Sequence, residues 1–400
     1  MSPSMSPSHG NPALRAMPWA AVLAGLCASL VGIGLARFAY TPLLTPLIDE
    51  GWFAADQVVY LSAANLGGYL LGAVLARAVG RRFGPVRVLK VTMLLTALSF
   101  FACAFPLSNS WFFLWRLLSG VTGGIIMILV AATLMPHIPP RRRGLASGAI
   151  FLGLGLGIAG SGTLVPLLLH WGLQATWLGL GAVALALVGL SWSGWPREGG
   201  LPASPPPVTA IPAKPGKALT VLYIQYGLMA VGLVPAMMFL ADFVARGLGQ
   251  GVHIGSMFWV LYGGGALLGP MLYGQLGDKL GTGRALRWLV AVQALMLGTL
   301  LLTHSLWWVA VVSVVLGTFP PGMVPLVLNR VHDLLPGDHG AQAAAWSRAT
   351  ATFALLQALA GYGYSFLFTA SGNNYWLLFA CSSGALVGAL AVEAASLLKR

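Results

Sequence analysis

The chain has 400 residues, 58% of them hydrophobic and only 8% charged, with a mean hydropathy of +0.82. A soluble domain is about a quarter charged, so this composition excludes a water-covered enzyme, and its hydrophobicity excludes disorder. The net charge of +13 arises from few acids (9) rather than many bases (22), so its meaning depends on where the bases sit. Cys27, Cys103 and Cys381 are far apart in apolar runs, with neither disulfide nor metal-ligand spacing, and read as small hydrophobes.

The first segment, 1–16, is a polar Ser/Pro tail ending near Arg15. The apolar run that follows is too long for a signal peptide and lacks a cleavage site, so it reads as a membrane span. A bilayer crossing needs about 20 apolar residues. Twelve such runs are predicted, at 18–47, 57–79, 87–107, 110–136, 144–170, 174–195, 218–245, 252–276, 285–303, 306–330, 341–369 and 375–397. None alternates as the strands of an outer-membrane barrel do. Residues 196–217 contain Pro202, Pro205, Pro206, Pro207, Pro212 and Pro215, and read as an extended linker. The expectation is an all-α integral membrane protein, with a six-helix bundle over 17–195, a second over 218–397 and a short tail at 398–400.

The bases set the orientation. With the N-terminus inside, eighteen of the 22 Lys and Arg residues fall in inner segments, and Arg246 alone falls in an outer loop. Arg37, Arg116 and Arg348 fall within spans. That bias is a strong positive-inside signal, placing both termini and the linker in the cytoplasm. It also removes nucleic acid as a partner, because the bases are spread over every inner loop.

The halves repeat. Gly274-Gln275-Leu276-Gly277-Asp278-Lys279-Leu280-Gly281-Thr282-Gly283-Arg284 after the eighth span parallels Arg77 to Arg87 after the second. Arg81 and Asp278 are 197 residues apart, as are Gly120 and Gly317. Internal repeats of this kind mark secondary transporters. The six-plus-six spans, the long central loop and the second turn resemble the major facilitator superfamily. Gly274, Leu276, Asp278, Lys279, Gly281 and Arg284 match that family's turn motif, Gly-x-Leu-x-Asp-Arg/Lys-x-Gly-x-x-Arg/Lys. In the first-half copy, Arg77 replaces the glycine and Arg81 the aspartate, with Arg82 following. The resemblance implies that this turn braces the cytoplasmic gate. Arg116-Leu117-Leu118-Ser119-Gly120 matches the family's Arg-x-Leu-x-Gly element, which implies a cavity arginine tied to proton movement. The glycines of span five, Gly148, Gly153, Gly155, Gly157, Gly160 and Gly162, resemble the exporter element without its Gly-Pro pair. The stretch Gly32 to Leu44 is similar to the first helix of the YbfB/YjiJ-type group.

An arginine inside a bilayer is paired, cavity-facing or snorkelling, because burying it costs about 2.5–3.5 kcal/mol on insertion scales. Arg37 either snorkels, packs against carbonyls freed by Pro42 and Pro46, or holds an anion; its repeat-related position is Val234. Arg116 either caps carbonyls or lines the cavity, and Arg348 either snorkels or meets substrate. Asp242 is the one acid within reach of the cavity, with a local pair to Arg246 as the alternative. Glu393 reads as peripheral. Tyr40, Asn65, Tyr69, Gln225, Tyr226, Tyr262 and Gln357 are the polar and aromatic candidates for a pocket. Pro320 and Pro321 are expected to kink or break span ten.

The reading is a monomeric secondary transporter of the bacterial inner membrane, moving a small organic solute by alternating access. An excess of span arginines over acids favours an anion, and protons are a candidate coupling partner. A lipophilic drug exporter and a transceptor that moves nothing are the alternatives. No phosphate loop or metal-ligand cluster indicates an enzyme, a cofactor or a metal.

Overall fold

In lipid every backbone N–H and C=O must find a partner within the protein, and a helix satisfies its own. The computed structural model describes residues 18–139, 142–196, 216–302, 305–336 and 338–398. The tail at 1–16, nearly all of the linker 196–217, and Lys399 and Arg400 lie outside the described residues. The first six helices are α1 (Trp19–Asp49), α2 (Ala55–Phe83), α3 (Pro85–Cys103), α4 (Asn109–His137), α5 (Arg143–Leu169) and α6 (Leu173–Ser191). The second six are α7 (Lys217–Gly247), α8 (Gly251–Leu280), α9 (Thr282–Thr299), α10 (Leu306–Leu334), α11 (His339–Ala370) and α12 (Tyr375–Leu398). Eleven of them are long and apolar enough to cross a bilayer. The exception is α9, which has 18 residues and carries Arg284 and Arg287 in its first turns. It packs between α10 and α12 and takes the twelfth place.

Exposed tryptophans sit near the helix ends, Trp19 and Trp288 at one end and Trp171, Trp307 and Trp376 at the other. Such rings prefer the headgroup level of a membrane. Large apolar residues such as Val74 and Met271 cover the lipid-facing sides between them. Cys381 is exposed on such a side, unlike the buried Cys27 and Cys103.

The repeat is built into the packing. A Cβ on Gly68 would lie 2.0 Å from the Leu117 carbonyl oxygen, and one on Gly265 2.0 Å from that of Val314. Gly72 meets Val121 at 2.0 Å and Gly269 meets Thr318 at 2.1 Å, while Gly120 meets Asn65 at 2.1 Å and Gly317 meets Tyr262 at 1.9 Å. Each second-half residue in these pairs is 197 positions beyond its first-half counterpart. Helices α2 and α4, and their equivalents α8 and α10, therefore touch backbone to backbone, the approach that small residues permit in membranes. The turn that follows repeats as well: Gly84 has φ +84° and Gly281 φ +78°, a conformation that side chains resist.

Helix α1 departs from the expected continuous span. Leu30–Leu35 is a π-helical stretch and Thr41–Leu43 a 3₁₀ turn. Gly34 is pressed so close to α5 that its Cβ would lie 2.8 Å from Gly157 Cα, and Pro42 and Pro46 remove backbone donors farther on. By contrast, α10 runs unbroken through Pro320, Pro321 and Pro325. Of the kink or break expected there, the break is absent, and the helix with irregular pitch is α1.

The two bundles meet along α1 with α7, α2 with α11 and α5 with α8. The turns at Gly84 and Gly281 lie at what we term the basic end, and loops 50–54 and 248–250 at the distal end. From the distal end to mid-height the contacts are tight. Ser365 donates to the Val59 carbonyl at 3.1 Å, and Trp259 Nε1 donates to Ser161 at 3.1 Å. A Cβ on Gly263 would lie 2.3 Å from Ala159 N. Three turns along the same faces toward the basic end, a Cβ on Gly148 or Gly274 would meet nothing within 4 Å. The interface is closed distally and splayed at the basic end.

The distal closure has a polar centre. Asp242 is fully buried and accepts from Arg246 Nε at 2.5 Å and Nη2 at 2.6 Å, from Tyr375 at 2.5 Å and from Thr45 of the other bundle at 2.7 Å. Thr45 and Asp242 are 197 residues apart, so this bond joins repeat-equivalent positions of α1 and α7. Asp242 is paired with Arg246 as the local alternative expected, and it also ties the two bundles together.

Two outcomes follow for thermal unfolding of purified protein. Gly317→Ala should lose about 1–3 kcal/mol through overpacking, whereas Gly264→Ala, with open space around it, should be neutral. Arg246→Ala should cost about 3–5 kcal/mol by stranding a buried carboxylate. Thr45→Val, which removes one bond to a charged acceptor, should cost about 1.5 kcal/mol.

Candidate functional site

The π stretch of α1 ends at Leu35, and Arg37 follows it. Such local widenings of a helix often accompany functional sites. The Arg37 side chain is half-buried at the bundle interface. Its Nη2 donates to Gln357 Oε1 of α11 at 3.1 Å, and its Cζ lies 4.5 Å from the centre of the Tyr69 ring on α2. Its Nε has no hydrogen-bond partner among the described residues. The ion pairs among those residues are Arg246 with Asp242 and Arg287 with Glu393, so no carboxylate neutralises Arg37.

The facing wall is aromatic. Tyr226 of α7 packs on Phe353 of α11 with ring centres 4.5 Å apart and stacks with Trp346 at 6.4 Å. Phe353 lies four residues, about one turn, before Gln357 on α11, which puts the Tyr226–Phe353 pair on the face that meets Arg37. Arg37, Tyr69, Tyr226 and Gln357, drawn from both bundles, are thus brought together, and Phe353 and Trp346 join them. Sequence reading missed the last two, because nothing in an apolar span distinguishes an interface aromatic from a lipid-facing one. Arg348 lies about 13 Å along α11 toward the basic end, at ~1.5 Å per residue, beside the Tyr223 phenol of α7.

The other candidates lie elsewhere. Arg116 is buried inside the first bundle, donating from Nη1 to the Ala36 carbonyl at 2.8 Å with its Cζ 4.3 Å from the Tyr40 ring centre. Tyr40 donates to the Val58 carbonyl at 2.9 Å, and Asn65 to Ser119 at 3.0 Å. These three bond within the first bundle and lie away from the interface between the bundles. Tyr262 is buried flat against Trp259, with ring centres 4.8 Å apart. Gln225 is turned into the second bundle, donating to Glu393 at 2.9 Å. Glu393 is not peripheral: Gln225 and, at 3.5 Å, Arg287 hold it between α7, α9 and α12.

At the basic end, Asp278, Lys279, Gly281 and Arg284 are exposed, as are Arg81 and Arg82. Asp278 forms no ion pair or hydrogen bond among the described residues, consistent with the splayed helices. Arg141 lies outside the described residues, as does the side chain of Arg143 at the start of α5. The motif region is braced instead by Thr282, which donates to Asp333 at 2.5 Å, and by Arg330, whose guanidinium packs against Gly283.

Several solved structures share this chain's shape at low identity. They include the partially occluded, inward-open xylose transporter XylE of E. coli, with a TM-score of 0.71 and 14% identity over 94% of this chain and 98% of that one. A D-xylose–proton symporter scores 0.68 with 15% identity, covering 94% of this chain and 96% of that one. An inward-facing bacterial homologue of the human lysosomal transporter Spinster scores 0.66 with 15% identity, over 96% and 95% of the two chains. Among curated proteins, the 4-hydroxybenzoate transporter PcaK of Acinetobacter baylyi is 27% identical over 139 residues, 34% of this chain and 30% of that protein. The gallate transporter of Pseudomonas putida is 27% identical over 187 residues, 46% of this chain and 40% of that protein. The matches thus span less than half of these relatives' own length. Residues 29–394 match the sequence profile of the family described as uncharacterised MFS-type transporter YbfB. With that profile covering almost all of its helical length, the protein belongs to the major facilitator superfamily, in the YbfB-type group.

Proposed function

We propose that this transporter moves a small organic anion, an aromatic carboxylate, by alternating access between the bundles at 17–195 and 218–397. The observation that carries the reading is Arg37, an unneutralised guanidinium at the bundle interface with an unpartnered Nε, bonded across to Gln357 and flanked by Tyr69. A guanidinium with a free edge binds carboxylate by charge-assisted hydrogen bonds, and the Tyr226–Phe353 pair offers an aromatic face for a ring. The relatives that carry hydroxybenzoate and gallate support this class. A purely lipophilic cargo fits less well, because an unneutralised arginine in its path would have to be desolvated without an anion to offset it.

The basic end is assigned to the cytoplasm of a bacterial inner membrane by the charge bias, with both termini inside. The splayed ends then correspond to an inward-open state. In this state Asp242 already accepts four hydrogen bonds, so it serves the outer latch rather than the substrate. An anion entering an inside-negative cell works against about 2.3 kcal/mol per charge per 100 mV. Uptake therefore requires a co-transported proton, whereas export is driven by the potential itself.

The test uses proteoliposomes and 4-hydroxybenzoate. Arg37→Gln should weaken its binding by roughly 10- to 100-fold, the worth of a charged hydrogen-bond pair, with Arg37→Lys in between. Unchanged affinity would remove the anion site. Asp278 is assigned to the brace that closes the cytoplasmic side in the opposite state, where the positive N-terminal end of α5 attracts it. Asp278→Asn should then abolish flux while binding and folding persist, and normal flux would refute the brace.

A further inference from the structure

Arg116 is used by no step proposed above, yet it is a charge held in the core of the first bundle. It is 2% exposed. One hydrogen bond, to the Ala36 carbonyl at 2.8 Å, and the Tyr40 ring face are its visible partners, and its Nε has none among the described residues. Among the described residues no carboxylate touches it, and the neighbouring Arg37 guanidinium repels it. Taking a charge out of water is offset only when an opposite charge or a full set of hydrogen bonds accompanies it. Here a positive pair lies in the membrane with neither.

A small cavity adjoins the guanidinium. It measures about 10 Å³ and is lined by Thr96, Ser99, Cys103, Arg116, Ser119 and Trp177, among others. That volume holds one water or one monatomic ion. The hydroxyl protons around it are engaged: Thr96 donates to the Thr92 carbonyl at 2.9 Å, Ser99 to Leu95 at 2.8 Å and Ser119 to Arg116 at 2.8 Å. Two lining side chains keep N–H groups without partners, Arg116 at Nε and Trp177 at its buried indole Nε1. The free groups are donors and the local charge is positive, so the site lacks an acceptor with negative charge. A water supplies the acceptor but not the charge.

We infer that the pocket beside Arg116 binds a small inorganic monovalent anion of the chloride class, separate from the interface site at Arg37. The anion neutralises Arg116 and screens its repulsion of Arg37.

The experiment compares unfolding of the purified full chain in sodium chloride and sodium gluconate at equal ionic strength, without organic substrate. Ligand bound only to the folded state raises the midpoint by mass action, here by about 2–5 °C at saturation. Bromide should reproduce the shift and give an anomalous scattering peak beside Arg116 in crystals. Arg37→Gln should retain the chloride shift, which separates this site from the one at the interface. Arg116→Gln should abolish it. Should that variant fail to fold, Cys103→Leu, which fills the cavity and leaves the guanidinium in place, should make the midpoint independent of chloride. Identical midpoints in the two salts, a shift that survives Arg116→Gln, or a bromide peak only elsewhere would overturn the inference and leave water in the pocket.

Discussion

The close approach of glycine to carbonyl, between α2 and α4 and again between α8 and α10, is the constraint on which the rest of the protein depends. Lipid gives no hydrophobic reward for bringing helices together, so association relies on short-range packing. A Cβ at Gly68, Gly120, Gly265 or Gly317 would fall within about 2 Å of a carbonyl oxygen, and a single methyl would drive these helices apart. With these pairs locked, each bundle has a rigid half against which α1 and α7 pack. The irregularity of α1 is tolerated because its neighbours are fixed.

Much of this was legible in the chain. The spacing of 197 between Gly120 and Gly317 already encoded the paired contacts, and the glycine of each tight turn foretold its positive φ. Apolar length alone placed the helices. The rest was hidden for identifiable reasons. Arg37 and Arg116 are equally anomalous in sequence, yet one faces the interface and the other the bundle core, and a helical register cannot be read where α1 changes pitch between Leu30 and Leu43. Gln225 and Glu393 are 168 residues apart, so no local pattern joins them. Asp242 and Arg246 were readable as neighbours four apart, but Thr45 gains meaning only as the partner of Asp242 through the repeat.

Stability and mobility are divided between the two kinds of contact. The glycine seams within a bundle bring backbone against backbone at successive turns, so breaking one would give up several close contacts at once. Apart from the glycine contacts of the α5–α8 crossing, the interface between bundles is held differently, by single hydrogen bonds such as Ser365 to Val59 and Trp259 to Ser161. Each of these is worth about 1 kcal/mol net. Motion therefore belongs between bundles rather than within them.

Helix α1 joins the site to the distal closure. Arg37 bonds to Gln357, Thr41 donates to the Met237 carbonyl at 2.9 Å and Thr45 donates to Asp242 at 2.7 Å. These residues recur every four positions along one helix, and the acceptors of these three hydrogen bonds are all in the second bundle. The stripe that would meet a ligand is therefore the stripe that holds the distal end shut. A ligand competing for Arg37 acts at one end of this row, and what it can change is limited to its difference in affinity between the two states. Because the row consists of a few bonds of about 1 kcal/mol, with Asp242 the one charged acceptor, a modest differential suffices to shift it. A seam of glycines at this position would have required far more, and the chain places its polar links along α1 while confining its backbone contacts to the bundle interiors and the α5–α8 crossing.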